Sequence, residues 1–276
     1  MVIIDLRYIK MGWVSYVTDR SLVPALDSSI GILELLAKEG FKSANLTEIS
    51  TALSINKSTC LRILRTLESN GFVTLDEDLK VYSLGASLIS LGNHAREVND
   101  YIEVASSYLK RLIKTGFTFV LVKRVRKTNL MYMAKEEPPL KVRLTVSTGE
   151  AFSIPHGALG KCFYAFLSDE EADSINKSLL ANNQLLTNTV SPETSLECLK
   201  EQVPKIREEG IAESHEEYSL DISAYAVPIF DNCGNIILAL GSYMPKSSLG
   251  QIDEDELKSV MKSTAKEITE AISMLV

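Results

Sequence analysis

The sequence predicts an α+β chain in two parts. Between Pro24 and Gly71, apolar residues recur at helical spacing in three separate stretches, and two short strand-like runs then flank an acidic turn. Beyond residue 100, strand-like runs are interleaved with longer helical stretches, which suggests a sheet covered by helices. The length of 276 residues favours two domains over one, at about 100–200 residues per domain.

Residues 1–23 mix apolar and polar positions without a firm period. Met11 could be an alternative start, or the segment could be an arm that packs on a partner subunit; the residues do not choose. From Pro24, Leu26, Ile30, Leu33 and Ala37 predict one face of a first helix, with Gly40 placed to stop it. A second helix is expected over about Thr47–Leu53, capped by Asn45 or Thr47. Ser54-Ile55-Asn56 forms a tight turn, and a third helix runs from about Lys57 to Asn70, ended by Gly71. Phe72–Leu75 and Lys80–Leu84, around Asp76-Glu77-Asp78, predict a hairpin. This order of elements is that of a winged helix-turn-helix. Gly85–Arg96 is a helical connector, and charged residues around Arg96 and Asp100 mark a boundary.

The next helix is expected over about Val98–Thr115, stopping at Gly116. Strands are expected at Phe117–Val125, Leu130–Lys135 and Leu140–Val146, the last by its strict alternation. A helix follows over about Gly157–Leu167, and Ser168 with Glu171 signals a capping box for another. Pro192 suits the first turn of a third helix ending near Gly210, with Pro204 expected to kink it. Ser223–Phe230 and Asn235–Tyr243 flank Asp231-Asn232-Cys233-Gly234, a hairpin signal. A final helix, about Asp253–Leu275, places Leu257, Val260, Met261, Thr264, Ile268, Ala271, Ile272 and Leu275 on one face.

Composition excludes several classes. The net charge of −7 and a pI near 5.2 rule out a basic footprint over the whole chain, so any nucleic-acid contact must come from a local patch. No apolar run approaches the roughly 18 residues of a membrane span, and the N-terminus has no basic region followed by a clean apolar one, so neither a membrane contact nor a signal peptide is expected. Cys60, Cys162, Cys198 and Cys233 are scattered without a C-x-x-C, as in a reduced, cytoplasmic protein. His94, His156 and His215, with Cys162, match no ligand spacing, so no metal site and no cofactor is expected.

The third helix carries the sharpest signal. Stepping 100° per residue places Cys60, Ile63, Leu64 and Leu67 on one stripe. The opposite face collects Ser58, Arg62, Arg65 and Ser69, with Thr59 and Leu61 on its flanks. Arginine can take guanine O6 and N7 bidentately or clamp a phosphate, and hydroxyls suit phosphate oxygens. Lys57, Ser58, Thr59, Leu61, Arg62 and Arg65 are therefore the expected double-stranded DNA contacts, with Lys57 on phosphate. The plain alternative is an ordinary solvated face. Against strong binding, residues 24–85 hold six basic and eight acidic side chains, and the wing tip is acidic. One module is expected to bind weakly and to need dimerisation.

Ala25–Leu36, Leu46–Gly71 and Tyr82-Ser83-Leu84-Gly85 resemble the DNA-binding half of IclR-type transcriptional regulators. Gly160-Lys161, Glu216-Glu217 and Ala226-Val227-Pro228-Ile229-Phe230-Asp231 resemble motifs of that family's effector domain, in the same order. The resemblance implies a winged helix-turn-helix over 24–85, a linker helix over 86–100, and a GAF- or profilin-like α/β effector-binding and oligomerisation domain over 101–276. It also implies a dimer, or a dimer of dimers, on a pseudo-palindromic operator, and a small organic effector.

Gly157-Ala158-Leu159-Gly160 opens its helix with small residues, so a ligand could approach free N–H groups there. A tight strand-to-helix packing turn explains the same residues. It is not a Walker A loop, since Cys162 follows Lys161 where Ser or Thr belongs. The resemblance implies effector contacts from Ala158, Leu159, Ser214, Ile222, Ala224, Gly241 and Tyr243. Ala224, Gly241 and Tyr243 stand where small-acid-binding members carry polar groups, which favours a larger, more apolar or aromatic ligand, with Tyr243 supplying a hydroxyl. Two other classes remain open. One is a small-molecule enzyme on the C-terminal part, against which stands the lack of a nucleophile–base pair in the sequence. The other is a protein-interaction module, which the acidic wing favours.

Overall fold

The computed structural model describes residues 2–5, 23–139, 142–181, 196–217 and 219–275. These fall into two compact units, 23–100 in one and 2–5 with 101–275 in the other.

The first unit contains α1 (Pro24–Leu36), a 3-10 turn (Glu39–Phe41), β2 (Ala44–Asn45), α2 (Leu46–Ala52), α3 (Lys57–Ser69), β3 (Val73–Asp76), β4 (Val81–Leu84) and α4 (Ser87–Glu97). The strands form an antiparallel sheet in the order β2-β4-β3. Asn45 caps α2 through a reciprocal box. Its Oδ1 accepts from Thr47 and Glu48 N–H, and Glu48 accepts from Asn45 N–H at 2.8 Å. The core joins Ile32, Leu35 and Leu36 to Ile49, Cys60, Leu64, Val73 and Tyr82.

Two expectations about α1 are corrected. Leu26 and Ile30 are 60% and 40% exposed, and the buried stripe is Gly31, Ile32, Leu35 and Leu36. The helix is apolar on more than one side, so period alone does not choose its core face. Packing decides it, because Ile32, Leu35 and Leu36 share one core with Cys60, Leu64 and Tyr82. Gly40 does not end the helix. The chain leaves it at Ala37 in right-handed conformation, and Gly40 sits in the 3-10 turn.

The second unit is built on a six-stranded antiparallel sheet in the order β8-β6-β5-β11-β10-β9. Its strands are β5 (Thr118–Arg126), β6 (Asn129–Glu136), β8 (Ala151–Ser153), β9 (Ala212–His215), β10 (Ile222–Phe230) and β11 (Ile236–Pro245). The helices are α5 (Asp100–Leu112), α6 (Gly157–Ala165), α7 (Asp169–Ala181), α8 (Leu196–Glu209) and α9 (Glu254–Ser273). Both faces are covered. Val120, Val122, Ala224 and Ala226 lie in one core with Leu159, Phe163 and Ile175, while Phe119, Leu121, Tyr225 and Val227 lie in another with Leu109, Met261 and Ile268. This double cover explains why β5, β10 and β11 read as continuous apolar runs and not as alternation.

The N-terminal segment acquires a structural role at residues 2–5. They form β1 (Val2–Asp5), which pairs in parallel with β7 (Val142–Thr145). Residues 6–22, residues 140 and 141 of the third expected strand, and Pro192 of the helix expected to end near Gly210 lie outside the described residues. The helix expected over Val98–Thr115 is shorter: α5 begins at Asp100, its last turn is 3-10, and Gly116 leaves it at φ 88°. On α9, Val260 and Leu275 are exposed and Ala265 is buried, because the core covers a narrower stripe than apolar residues occupy. Strands β2, β8 and β9 have too few residues to show a period. Among the described residues, no helix is long and apolar enough to cross a membrane.

Among the described residues, Ser242 Oγ on β11 is buried without a hydrogen-bond partner. A buried unsatisfied hydroxyl costs about 1–3 kcal/mol. Ser242→Ala is therefore expected to raise the thermal midpoint by a few degrees, measured by calorimetry on the full chain.

Candidate nucleic-acid interface and ligand cleft

Helix α3 is anchored on one side and open on the other. Asn56 is its N-cap, and its Oδ1 accepts from Ser58 N–H at 2.9 Å and from Ser58 Oγ at 2.8 Å. Ser54 at φ 54° turns the chain into that cap. Cys60, Ile63 and Leu64 are buried, and burial pushes the Cys60 thiol up, as for a core residue. Lys57, Ser58, Thr59, Arg62, Arg65 and Ser69 are exposed, while Leu61 is half-buried on the flank. The helix thus gathers two guanidinium groups, an ammonium and hydroxyls on one solvent-facing side. On the wing, Asp76 Oδ1 accepts from Asp78 and Leu79 N–H, and Lys80 pairs with Glu77 at 2.8 Å. That pairing leaves the wing tip acidic.

In the second unit, strand register creates a cleft. Ser214, Ala224 and Tyr243 are direct neighbours across β9, β10 and β11, and Ala212, Ala226 and Gly241 form the adjacent row. The second row is shallow, so α6 can settle on it. A Cβ at Gly241 would stand 2.7 Å from Leu159 Cδ2, and one at Gly160 would stand 2.5 Å from the Pro155 carbonyl carbon. Gly241 makes room for Leu159 on the sheet, and Gly160 lets α6 lie against the Pro155 backbone that precedes it. The first row then faces the opening turn of α6 across a cleft lined by Tyr132, Phe152, His156, Gly157, Ala158, Leu159, Ser214, Ile222, Ala224 and Tyr243.

Of the seven residues expected around an effector, Ala158, Leu159, Ser214, Ile222, Ala224 and Tyr243 line this cleft. Gly241 does not; it lies beneath Leu159. Gly157, expected as part of the small-residue opening of α6, lines it as well, and so do Tyr132, Phe152 and His156, which were not anticipated. His156 adjoins the Gly-rich opening, which is a usable signal, but Tyr132 and Phe152 reach the cleft only through strand pairing.

Among the described residues, none that lines the cleft carries a charged side chain. Its free space is about 20 Å3, little more than one water requires. The Tyr132 and Tyr243 hydroxyls hydrogen-bond each other at 2.6 Å, and the Tyr132 and Phe152 rings lie 4.8 Å apart. Burial holds the His156 imidazole below its usual value, which favours the neutral ring, with Nδ1 3.2 Å from Ser153 O. Lys161 of the Gly-Lys motif turns away from the cleft to Glu217. Glu216 turns outward to Lys246, so the adjacent carboxylates face opposite sides and form no acid–base pair.

One constellation escaped the sequence reading. Ser223 Oγ lies 3.2 Å from His215 Nδ1, and His215 Nε2 lies 3.3 Å from Glu213 Oε2. This orders a hydroxyl, an imidazole and a carboxylate as a nucleophilic triad would. Ser223, however, is fully buried within the sheet, away from the cleft. Buried Cys162 likewise has its thiol pushed far up by burial. Among the described residues, no three His, Cys, Asp or Glu side chains are grouped to hold a metal.

Comparison with known proteins decides the family. The model of the bacterial transcriptional regulator IclR C-terminal region matches residues 94–270, and that of the IclR helix-turn-helix domain matches residues 25–77. The chain belongs to the IclR family. The HTH-type transcriptional regulator KdgR of Dickeya chrysanthemi is 26% identical over 275 residues, covering 96% of this chain and 88% of that protein. The DNA-binding transcriptional repressor YiaJ of Escherichia coli K12 is 29% identical over 249 residues, 89% of this chain and 86% of that protein. The crystal structure of an IclR transcriptional regulator from Alicyclobacillus acidocaldarius superposes with a TM-score of 0.75 at 35% identity, covering 91% of this chain and 99% of that one. Like these members, the IclR-family protein described here is a DNA-binding transcription regulator.

Glu213 carries a pH signature. Its bond with His215 and its ion pair with Lys258 at 2.7 Å hold its carboxyl down at about 2, against 4.5 when unperturbed. A depressed carboxylate stabilises the fold above its unfolded value and loses that contribution as pH falls through the folded one. Thermal midpoints should therefore fall between about pH 4.5 and pH 2, and Glu213→Gln should flatten that limb. An unchanged limb in the variant would assign the acid sensitivity elsewhere.

Proposed function

We propose that this IclR-family chain is a ligand-responsive regulator that reads a pseudo-palindromic operator as a dimer or dimer of dimers. Its reader is the exposed face of α3. The observation that carries this is the pairing of outward Arg62 and Arg65 with a buried Cys60–Ile63–Leu64 back. Arg62 and Arg65 contact base edges or phosphates, Ser58 and Thr59 phosphate oxygens, Leu61 the groove wall, and Lys57 a phosphate. The acidic wing makes one module a weak binder, so two must act together. Exposed apolar side chains within the first unit, Leu26 and Ile30 on α1 and Ile89 and Leu91 on α4, support self-association.

The regulator acts in the cytoplasm, and its effector occupies the cleft of the second unit. The uncharged, ring-bearing walls favour a small organic molecule with an unsaturated or aromatic body, and the opening turn of α6 supplies backbone N–H groups for an acceptor on it. Opening the Tyr132–Tyr243 bond is part of binding. The ligand biases two arrangements of the DNA-binding heads only through its different affinity for each. No catalytic step is assigned, since the buried Ser223 has no substrate access.

A duplex selected from random sequence supplies the operator. Arg62→Ala and Arg65→Ala should each weaken binding about 5- to 150-fold in a shift assay, corresponding to about 1–3 kcal/mol. Unchanged affinity in both would remove α3 as the reader. The acidic wing favours a second reading, a protein-interaction module. Absence of any duplex binding at low salt would support that reading instead. For the cleft, a thermal-shift screen of small aromatic and aliphatic acids should yield binders whose shift is reduced by Ala224→Leu. Binders indifferent to that change would place the effector elsewhere.

A further inference from the structure

The Lys161–Glu217 ion pair is used by neither reading above. Its side chains are 7% and 9% exposed, and Lys161 Nζ donates to Glu217 Oε1 at 2.6 Å and to Gln202 Oε1 at 2.9 Å. Two charges taken out of water lose much of their mutual attraction to desolvation, so such a pair is poor evidence of net stability. What it does impose is an arrangement. Here it joins three elements: α6, the β9–β10 connection and, through Gln202, α8.

Each end of the pair is next to a wall of the cleft. Lys161 follows the cleft-lining residues Gly157, Ala158 and Leu159 on α6. Glu217 lies between Ser214 and Ile222, which line the opposite wall. The β9–β10 connection is also held from outside. Glu216 accepts from Lys246 and from Asp221 N–H, and Lys246 N–H donates to Asp221 O at 2.8 Å. Glu216 and Asp221 sit at φ 59° and 60°, which non-glycine residues adopt only when their surroundings require it. The connection is thus fastened by Lys246 on its outer side and by Lys161 on its inner side.

We propose that Lys161 and Glu217 are positioning residues of the cleft, their ion pair setting the separation of the α6 wall from the Ser214–Ile222 wall. A ligand that moves one wall moves the other and α8 with it. The functional meaning rests on the effector reading above, but the mechanical claim does not need a ligand.

The test is hydrogen–deuterium exchange on the full chain without ligand, comparing wild type, K161M/E217M, K161R and Q202L. The apolar double variant should keep a thermal midpoint close to wild type. Its amides in 157–160 and 212–224 should exchange at least about tenfold faster, with 118–126 and 257–272 unchanged. K161R, which keeps the charge, should exchange as wild type. Q202L should accelerate the same two segments by a smaller factor, and it decides the matter if the double variant does not fold. Unchanged exchange in these two segments, acceleration spread evenly over the sheet, or K161R behaving like the double variant would each overturn the proposal. A ligand screen without binders would remove the effector reading and leave this exchange pattern standing.

Discussion

Cys60, Ile63 and Leu64 hold α3 in the core of the first unit, and Leu159, Cys162 and Phe163 hold α6 on the sheet of the second. Both candidate sites depend on that one constraint. A helix offers a defined set of groups to a partner only when its opposite side is locked in close packing. On α3 the offered groups are guanidinium and hydroxyl side chains. On α6 they are the small residues of its opening turn, brought close to the sheet because Gly241 leaves no side chain beneath Leu159.

The two sites differ in electrostatic design. The α3 face is charged and exposed, suited to a polyanion whose attraction reaches through water and fades with salt. The cleft is uncharged, narrow and partly closed by a phenol pair. Such a cleft is suited to recognition by shape, ring contacts and a few hydrogen bonds.

Proximity of chemically competent groups is not sufficient for catalysis. Ser223, His215 and Glu213 are in hydrogen-bond order, yet the hydroxyl is enclosed by the sheet. The same cluster includes Tyr225, which bonds Glu254 and lies under Lys258 with the ammonium 4.9 Å from its ring centroid. These contacts tie β10 to α9, and the Glu213–Lys258 pair ties the edge strand β9 to the same helix, so the cluster acts as a fastening of the sheet edge.

Much of the architecture was legible in sequence because its signals are local. Asn45 with Glu48, Asn56, Gly71 and the Asp231–Gly234 turn each specify backbone geometry within a few residues, and the structure has a cap or turn at each. The back of α3 was legible because its apolar stripe is narrow and its other side is polar. Tertiary structure alone decided which stripe of α1 is buried, since that helix is apolar on two sides and only packing against α2 and α3 separates them. It also brought Tyr132 to Tyr243 across 111 residues and turned Lys161 inward to Glu217 across 56. Strand register and the seating of α6 bring distant segments together, and no short-range pattern of residues encodes such a pairing.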